Sequence, residues 1–205
     1  AGEYQILLGT QMVAKGLDFP RVTLVGVISA DSELLFPDFR AGERTFQLLT
    51  QVAGRAGRKD KEGEVVVQTF SPDHYAIFYV RSHDYDHFFK NELKDRHQLD
   101  YPPYSRMINI VFRGPKEEAV RHAADAFAAS LNIGGDARML GPVPATLSRI
   151  EGQYRYQILL VSSKQNDPGA QKTREAVRQA IQNLKDGHRN RQVQISIDVD
   201  PISIL

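Results

Sequence analysis

The sequence predicts an α/β segment built on a parallel sheet, followed by an α+β segment of the order β-α-β-β-α-β. Three observations predict it. Over the first 70 residues, short β-branched runs alternate with an amphipathic helical stretch, as strands joined by crossover helices do. Pro102-Pro103 then interrupts the chain after a polar, helix-forming stretch, because neither proline nitrogen can donate to a helix. Beyond the prolines, period-2 and period-3.6 apolar patterns succeed one another in the six-element order.

In the first segment, Tyr4 to Leu8 and Val22 to Ile28 are apolar and β-branched enough for buried parallel strands. Glu64 to Phe70, with Val65, Val66 and Val67 at its centre, is expected to be a third. The helix between the last two is expected from about Glu43 to Ala56, with Phe46, Leu49 and Val52 inward and Gly57 placed to close it. A ligand of such a sheet belongs beyond the carboxyl ends of its strands. Ser71-Pro72-Asp73 reads as a helix start, and two helices are expected from Pro72 to Arg81 and from about Asp84 to Gln98. The expected organisation is therefore residues 1–70, a helical connector over 71–103, and a second domain over 104–205.

The second domain is laid out by alternation. Ser105 to Phe112 is a strand with Ile108, Ile110 and Phe112 on one face; Lys116 to Leu131 is a helix with Val120, Ala123, Ala124, Phe127 and Leu131 inward. Two strands, roughly Gly141 to Ile150 and Tyr154 to Ser162, are joined by the turn Glu151-Gly152-Gln153. A helix from about Pro168 to Leu184 buries Val177, Ala180, Ile181 and Leu184. The last strand, Gln192 to Val199, turns Val193, Ile195, Ile197 and Val199 to one side. This order is that of a split βαβ sandwich, an architecture that hosts many functions and decides none.

Composition excludes several classes. With 41% hydrophobic and 25% charged residues the chain is an ordinary globular one, and no apolar run approaches the roughly 18 residues of a membrane span. No signal peptide opens it, so the cytoplasm is the expected compartment. There are no cysteines, which removes disulfides and cysteine-ligated zinc from this chain. Among six histidines the close pair is His83 and His87; on one helix face these would suit a metal, but a solvated pair is the plainer reading, and no metal site is expected. Up to Pro103 there are 12 Lys and Arg against 15 Asp and Glu, a balance of −3; after it, 14 against 10, a balance of +4. The basic half hints at a polyanionic partner.

Chemistry concentrates in Gln51-Val52-Ala53-Gly54-Arg55-Ala56-Gly57-Arg58. Arg55 and Arg58 would share a helix face if the helix persists that far. Their guanidinium groups stay charged and grip phosphate oxygens in a bidentate fork, while Gly54 and Gly57 remove bulk so that a phosphate or another domain can approach. The competing reading is a solvated basic helix end, favoured by the helix dipole. Upstream, the loop from Gly9 to Pro20 directly follows an expected strand. Thr10 offers a hydroxyl to a nucleic-acid phosphate, and Gly16 with Asp18 forms a turn presenting a carboxylate to a ribose or an arginine. The competing reading there is a polar loop with capping residues.

In this order and at this spacing, the run from Gly9 to Asp31, which continues that loop, and the run from Gln51 to Arg58 resemble motifs V and VI of the superfamily-two helicases. The intervening Asp38-Phe39-Arg40-Ala41-Gly42-Glu43-Arg44-Thr45-Phe46-Gln47-Leu48-Leu49-Thr50-Gln51, together with Leu99-Asp100-Tyr101-Pro102-Pro103-Tyr104 and Ile197-Asp198-Val199-Asp200-Pro201, resembles the PriA-type helicase family. The resemblance covers essentially the whole chain, departing at Ser32-Glu33-Leu34-Leu35-Phe36. It implies the end of a RecA-like second motor lobe, a helical connector and a C-terminal domain of a 3′-to-5′ DNA helicase that recognises stalled or branched forks and assembles primosomes for replication restart. By motif, Arg58 is the implied arginine finger, Arg55 its neighbour at the γ-phosphate and Gln51 a residue of the lobe interface. Thr10, Gln11 and Lys15 are implied DNA contacts, and Gly16, Asp18, Gly54 and Gly57 are implied to lie at the nucleotide. Lys172, Arg174 and Arg178 are candidates for docking the acidic tail of single-stranded-DNA-binding protein, with an ordinary solvated face as the competing reading. Branched and single-stranded DNA and other primosome proteins are the further implied partners, in a bacterial, nucleoid-associated setting.

The sequence holds neither a GxxxxGK[ST] loop nor a DExH-type acidic box, the elements that cradle the β- and γ-phosphates and hold Mg²⁺. ATP and Mg²⁺ are therefore expected to be bound mainly by a lobe outside this chain, and zinc by a cysteine-rich insert outside it, with neither held tightly here. The chain alone is expected neither to hydrolyse ATP nor to unwind DNA, and its first sheet to have an uncovered edge or face. Another superfamily-two motor acting on DNA or RNA, and a non-catalytic nucleic-acid-binding module, are the alternatives.

Overall fold

The computed structural model describes residues 4–11, 22–54, 56, 63–187 and 192–204. They form a mixed α/β structure of two compact units, Ala1–Leu93 and Lys94–Leu205. The first contains β1 (Leu24–Val27), α1 (Asp31–Leu34), α2 (Ala41–Ala53), β2 (Glu64–Val67), α3 (Tyr75–Arg81) and most of α4 (Tyr85–Gln98).

Strands β1 and β2 pair in parallel, with Val25 opposite Val65 and Val27 opposite Val67. Val27 and Val67 pack onto a core of Leu34, Phe46, Leu49, Ala76, Ile77, Val80 and Phe88. Phe46, Leu49 and Val52 of α2 are buried as their spacing predicts, and the Phe46 and Phe88 rings stack with centroids 4.1 Å apart. Two expectations are corrected. Tyr4 to Leu8 is not a strand, and its Tyr4, Ile6, Leu7 and Leu8 are exposed; an apolar run becomes a strand only where a ladder partner satisfies its backbone, and among the described residues this run has none. Nor are the other two strands buried on both faces, since Leu24 and Val66 point outward and only alternate residues reach the core. Among the described residues, Leu24 and Val66 leave one face of this sheet exposed.

Helix boundaries also moved for local reasons. Helix α2 ends at Ala53, where Gly54 caps it with an N–H donated to the Thr50 carbonyl at 3.1 Å. Helix α3 begins after His74, whose Nδ1 accepts the Ala76 N–H at 3.2 Å, so that Ser71 to Asp73 forms the preceding turn. His83 stands in the turn before α4 with φ 51°, so it does not share a helix face with His87. The His87 ring instead meets Asp84 at 2.7 Å while Asp84 accepts the His87 N–H. Among the described residues no group of three potential metal ligands gathers.

The second unit contains β3 (Ser105–Gly114), α5 (Glu117–Ser130), β4 (Ala137–Ile150), β5 (Gln153–Ser163), α6 (Gln171–Gly187) and β6 (Gln194–Val199). The strands form one antiparallel sheet in the order β4-β5-β3-β6. On one face Ile108, Ile110 and Phe112 meet Val120, Ala124 and Phe127 of α5 and Val177, Ala180 and Leu184 of α6, the residues that the two periodicities select. Ile195, Ile197 and Val199 lie on this face by register, opposite Phe112, Ile110 and Ile108, yet stay 36–43% exposed because β6 is an edge strand. Strand β4 is longer than expected, with shifts of register either side of Val143-Pro144. Gly141 permits the first: its φ is 97°, and a Cβ there would lie 2.6 Å from the Gln157 carbonyl oxygen. The β4–β5 turn needs only Glu151 and Gly152, both at positive φ, which suits the right-handed twist of a hairpin.

Helix α6 is started by Asp167. Its carboxylate accepts the N–H of Gln171 at 2.7 Å and both the N–H and the hydroxyl of Thr173 at 3.1 Å. Burial pushes the carboxyl pKa up, but the hydrogen bonds from Thr173, Gln171 and Lys172 together outweigh it and hold it below the ordinary value. A depressed pKa contributes stability that is complete above the unfolded value near 3.9 and is lost as pH falls through the folded one. Replacing Asp167 by Ala is expected to cost about 1 kcal/mol at neutral pH, and the gap in Tm from the wild type should close as pH falls below about 4. A gap that stays constant to pH ~2 would show that the carboxylate charge has no part in the cap.

Candidate functional site

At the end of α2, Gln51 lies exposed on the outer face, one residue before buried Val52. Gly54 has an ordinary right-handed conformation, φ −70° and ψ −1°. A Cβ added there would meet only the Gln51 and Thr50 carbonyl oxygens, at 3.7 Å. Neither backbone conformation nor crowding within the described residues therefore demands glycine at 54. Helix α2 spans Ala41–Ala53. Arg55, Gly57 and Arg58 lie outside the described residues, as do Lys15, Gly16 and Asp18. Thr10 and Gln11 are exposed, following a segment that is not the expected strand.

Asp31 closes the first of the two runs, but sequence reasoning assigns it no role. It follows β1 and reaches across to the segment that leaves β2. Its Oδ1 accepts the Thr69 hydroxyl at 2.9 Å, and both carboxylate oxygens receive the Phe70 N–H at 3.1–3.2 Å. Burial raises its pKa, but the Phe70 N–H and the Thr69 hydroxyl lead a set of hydrogen bonds that bring it below the ordinary value. The carboxylate thus ties together the carboxyl ends of the two parallel strands, the edge at which a ligand of such a sheet belongs. A second missed carboxylate, Asp38, caps the approach to α2. It accepts the Arg40 N–H at 2.9 Å and pairs with Arg44 at 3.2 Å. The signal for both was local: an acid within a few residues of a strand end or helix start.

Gly42 has a packing reason of its own. Its Cβ would fall 3.0 Å from the Tyr75 hydroxyl and 3.2 Å from Glu92 Oε2, and these two groups share a 2.6 Å hydrogen bond. Glycine lets α2 approach that pair directly.

In the second unit, Lys172, Arg174 and Arg178 all lie on α6, Lys172 and Arg178 exposed and Arg174 half-buried. Arg174 and Arg178, four residues apart, are neighbours on one side, whereas Lys172 projects from another. Arg174 Nε donates to the Ala170 carbonyl at 3.3 Å, and Arg178 meets Glu175 at 3.4 Å.

Comparison with known proteins decides the family. The Primosomal protein N C-terminal domain family matches residues 97–202, more than half of the chain. The chain belongs to that family. Residues 1–60 match the Helicase conserved C-terminal domain. The chain is 41% identical to the replication restart protein PriA of Bacillus subtilis over 206 aligned positions, covering all of this chain and 25% of that protein. It is 42% identical to the protein of the same name from Haemophilus influenzae, with 98% of this chain and 27% of the relative covered. To the Synechocystis protein it is 45% identical over 78% of this chain and 19% of the relative. The chain thus spans about a quarter of the length of these relatives. Among the described residues no helix is long and apolar enough to cross a membrane.

Proposed function

We propose that this chain is the C-terminal portion of an ATP-dependent 3′-to-5′ DNA helicase that recognises branched or stalled replication forks and acts in primosome assembly and replication restart. One observation carries the reading: a helicase C-terminal domain over 1–60 and a primosomal protein N C-terminal domain over 97–202 follow each other in a single chain. In this reading residues 1–70 are the closing part of a RecA-like second lobe, 71–103 a helical connector, and 104–205 a split βαβ domain that binds DNA and partners. Branched and single-stranded DNA, the tail of single-stranded-DNA-binding protein and other primosome proteins are the proposed partners, in the bacterial cytoplasm at the nucleoid.

The residues present suit a share of a nucleotide site and not the whole of it. Exposed Gln51 and the uncrowded Gly54 leave the end of α2 open to approach, and Arg55, Gly57 and Arg58 follow in the sequence. Bound Mg²⁺-ATP would supply the γ-phosphoryl group. Arg58 offsets the charge that develops on it, Arg55 grips a neighbouring oxygen, and Gln51 lies against the other lobe. Gly16 and Asp18 couple this end to Thr10, Gln11 and Lys15 on the DNA backbone. The residues described do not suit the zinc of the family's cysteine-rich insert, since the chain has no cysteine and its described residues gather no ligand cluster.

The test uses the full-length protein and compares ATPase stimulation by forked DNA, linear duplex and RNA of equal length. Forked DNA is expected to stimulate most, with 3′-to-5′ unwinding. Equal or stronger stimulation by RNA would replace this reading with that of an RNA motor.

A further inference from the structure

Two arginines of the second unit face each other across the sheet with no carboxylate between them. Arg113 on β3 and Arg155 on β5 stand directly opposite each other in the sheet, so both side chains leave the same face, the one away from the Phe112 core. Like charges directly opposite in a ladder repel, and natural sheets commonly answer that with a carboxylate. Here none answers. Arg113 Nε donates to Gln194 Oε1 at 2.8 Å, and a terminal nitrogen of Arg155 donates to the Leu147 carbonyl at 3.3 Å. Both acceptors are neutral. Elsewhere in this unit Arg106 pairs with Asp200 at 2.6 Å, Arg138 with Asp100 at 3.2 Å and Arg178 with Glu175 at 3.4 Å, while Arg149 lies over the Tyr154 ring.

The uncompensated pair opens on a cleft of about 380 Å³ at the hairpin end of the sheet. Val111, Leu147 and Ile150 give it an apolar wall, and Glu151 on the turn adds a carboxylate that forms no ion pair with either arginine. The cleft therefore joins two guanidinium groups with spare N–H donors, an apolar wall, and the Glu151 carboxylate.

We infer that this cleft binds one nucleotide of a single strand, with Arg113 and Arg155 on the phosphodiester and Glu151 facing a base edge. Guanidinium forks match phosphate oxygens. The Glu151 carboxylate can take N–H donors, which a base offers and a phosphate does not. A peptide rich in carboxylates would satisfy the arginines but set further negative charge against Glu151, where a nucleotide brings one charge for the arginines and a neutral base edge for the carboxylate. The cleft is too small for duplex, and an unpaired base is what leaves its edge free for such contacts. The inference rests on the proposed DNA-binding role of this domain and adds the place and the residues.

The experiment measures anisotropy of a labelled mixed-sequence 20-mer DNA strand with the 205-residue chain, its Arg113→Ala and Arg155→Ala variants and their double, and Arg138→Ala as a cation outside the cleft. Each single variant is expected to weaken binding about tenfold, with Arg138→Ala within about twofold. The double variant should flatten the plot of log affinity against log salt by roughly 0.7 for a lost phosphate contact. Without DNA, the Tm of the single variants should not fall, since each removes a like-charge repulsion. Wild-type binding that the double variant retains, with its salt slope unchanged, overturns the cleft and leaves the helicase reading intact. No binding by the wild type at low salt overturns both the cleft and the DNA-binding assignment of this domain. Arginine-dependent binding of an acidic peptide, with the strand indifferent to both arginines, makes this a protein-docking cleft instead.

Discussion

Arg58→Ala in the full-length protein is expected to reduce DNA-stimulated ATP turnover by ~10³ to 10⁵, the range over which an arginine finger acts, while DNA affinity stays within a few-fold. The separation between these two readouts carries the weight. An arginine that offsets charge on a transferring phosphoryl group matters only once that charge develops, so its loss lowers kcat more than it weakens any ground-state complex. A lysine at 58 restores the charge but not the planar fork, so Arg58→Lys should recover only a small part of the rate. Arg55→Ala should be the milder lesion if Arg55 contacts a neighbouring oxygen. If Arg58→Ala instead weakens DNA binding tenfold or more and leaves turnover per bound complex unchanged, the arginines are nucleic-acid grips and the motor assignment of QVAGRAGR fails. Gly54 bears on the same question. A methyl group at 54 meets nothing closer than 3.7 Å within the described residues, so the described part of α2 offers no steric reason for activity to be lost on its introduction.

The parts of this molecule that the sequence discloses are those where one periodicity acts over many residues. Val120, Ala124 and Phe127 on α5 and Val177, Ala180 and Leu184 on α6 all reach the core to which their spacing assigns them. Strands were legible only where a ladder was available. Ile108, Ile110 and Phe112 belong to the inner strand β3, flanked by β5 and β6, and are buried. Ile195 and Ile197 alternate just as cleanly but sit on an edge and remain partly exposed, because alternation records which face a residue takes and not how deeply that face is covered. Tyr4 to Leu8 has the composition of a strand and no partner among the described residues.

The site divides in the same way. The arginines and glycines from Gln51 to Arg58 draw attention in the sequence because each residue type has its own chemistry, although Arg55, Gly57 and Arg58 lie outside the described residues. The Arg113–Arg155 pair does not, since 42 positions of chain separate the two and only strand register brings them together. Asp31 escaped for a related reason: its partners, Thr69 and Phe70, come from the far end of the neighbouring parallel strand.

The largest loss of stability is expected from Phe127→Ala. Phe127 is fully buried and meets Phe112 edge-to-face with ring centroids 5.5 Å apart, so its ring joins α5 to the inner strand of the sheet. Truncation removes the transfer energy of the ring and leaves a cavity that the sheet and helix can only partly close, about 3–5 kcal/mol together. That is a large share of the 5–15 kcal/mol by which a typical domain is stable. Urea unfolding of the 205-residue chain, followed by far-ultraviolet circular dichroism because the chain has no tryptophan, should show the fall as a lower midpoint. Two companions make the cause specific. Phe127→Leu retains most of the volume and should cost less than about 1.5 kcal/mol, whereas Phe70→Ala removes a ring that is 93% exposed and should cost within about 0.5 kcal/mol. A Phe127→Ala loss below about 1 kcal/mol would contradict the packed α5–β3 core. Because Phe127 lies on the helix-bearing face and Arg113 and Arg155 on the other, the folded Phe127→Leu protein should bind single-stranded DNA as the wild type does, which separates the stability of this sheet from the chemistry of its open face.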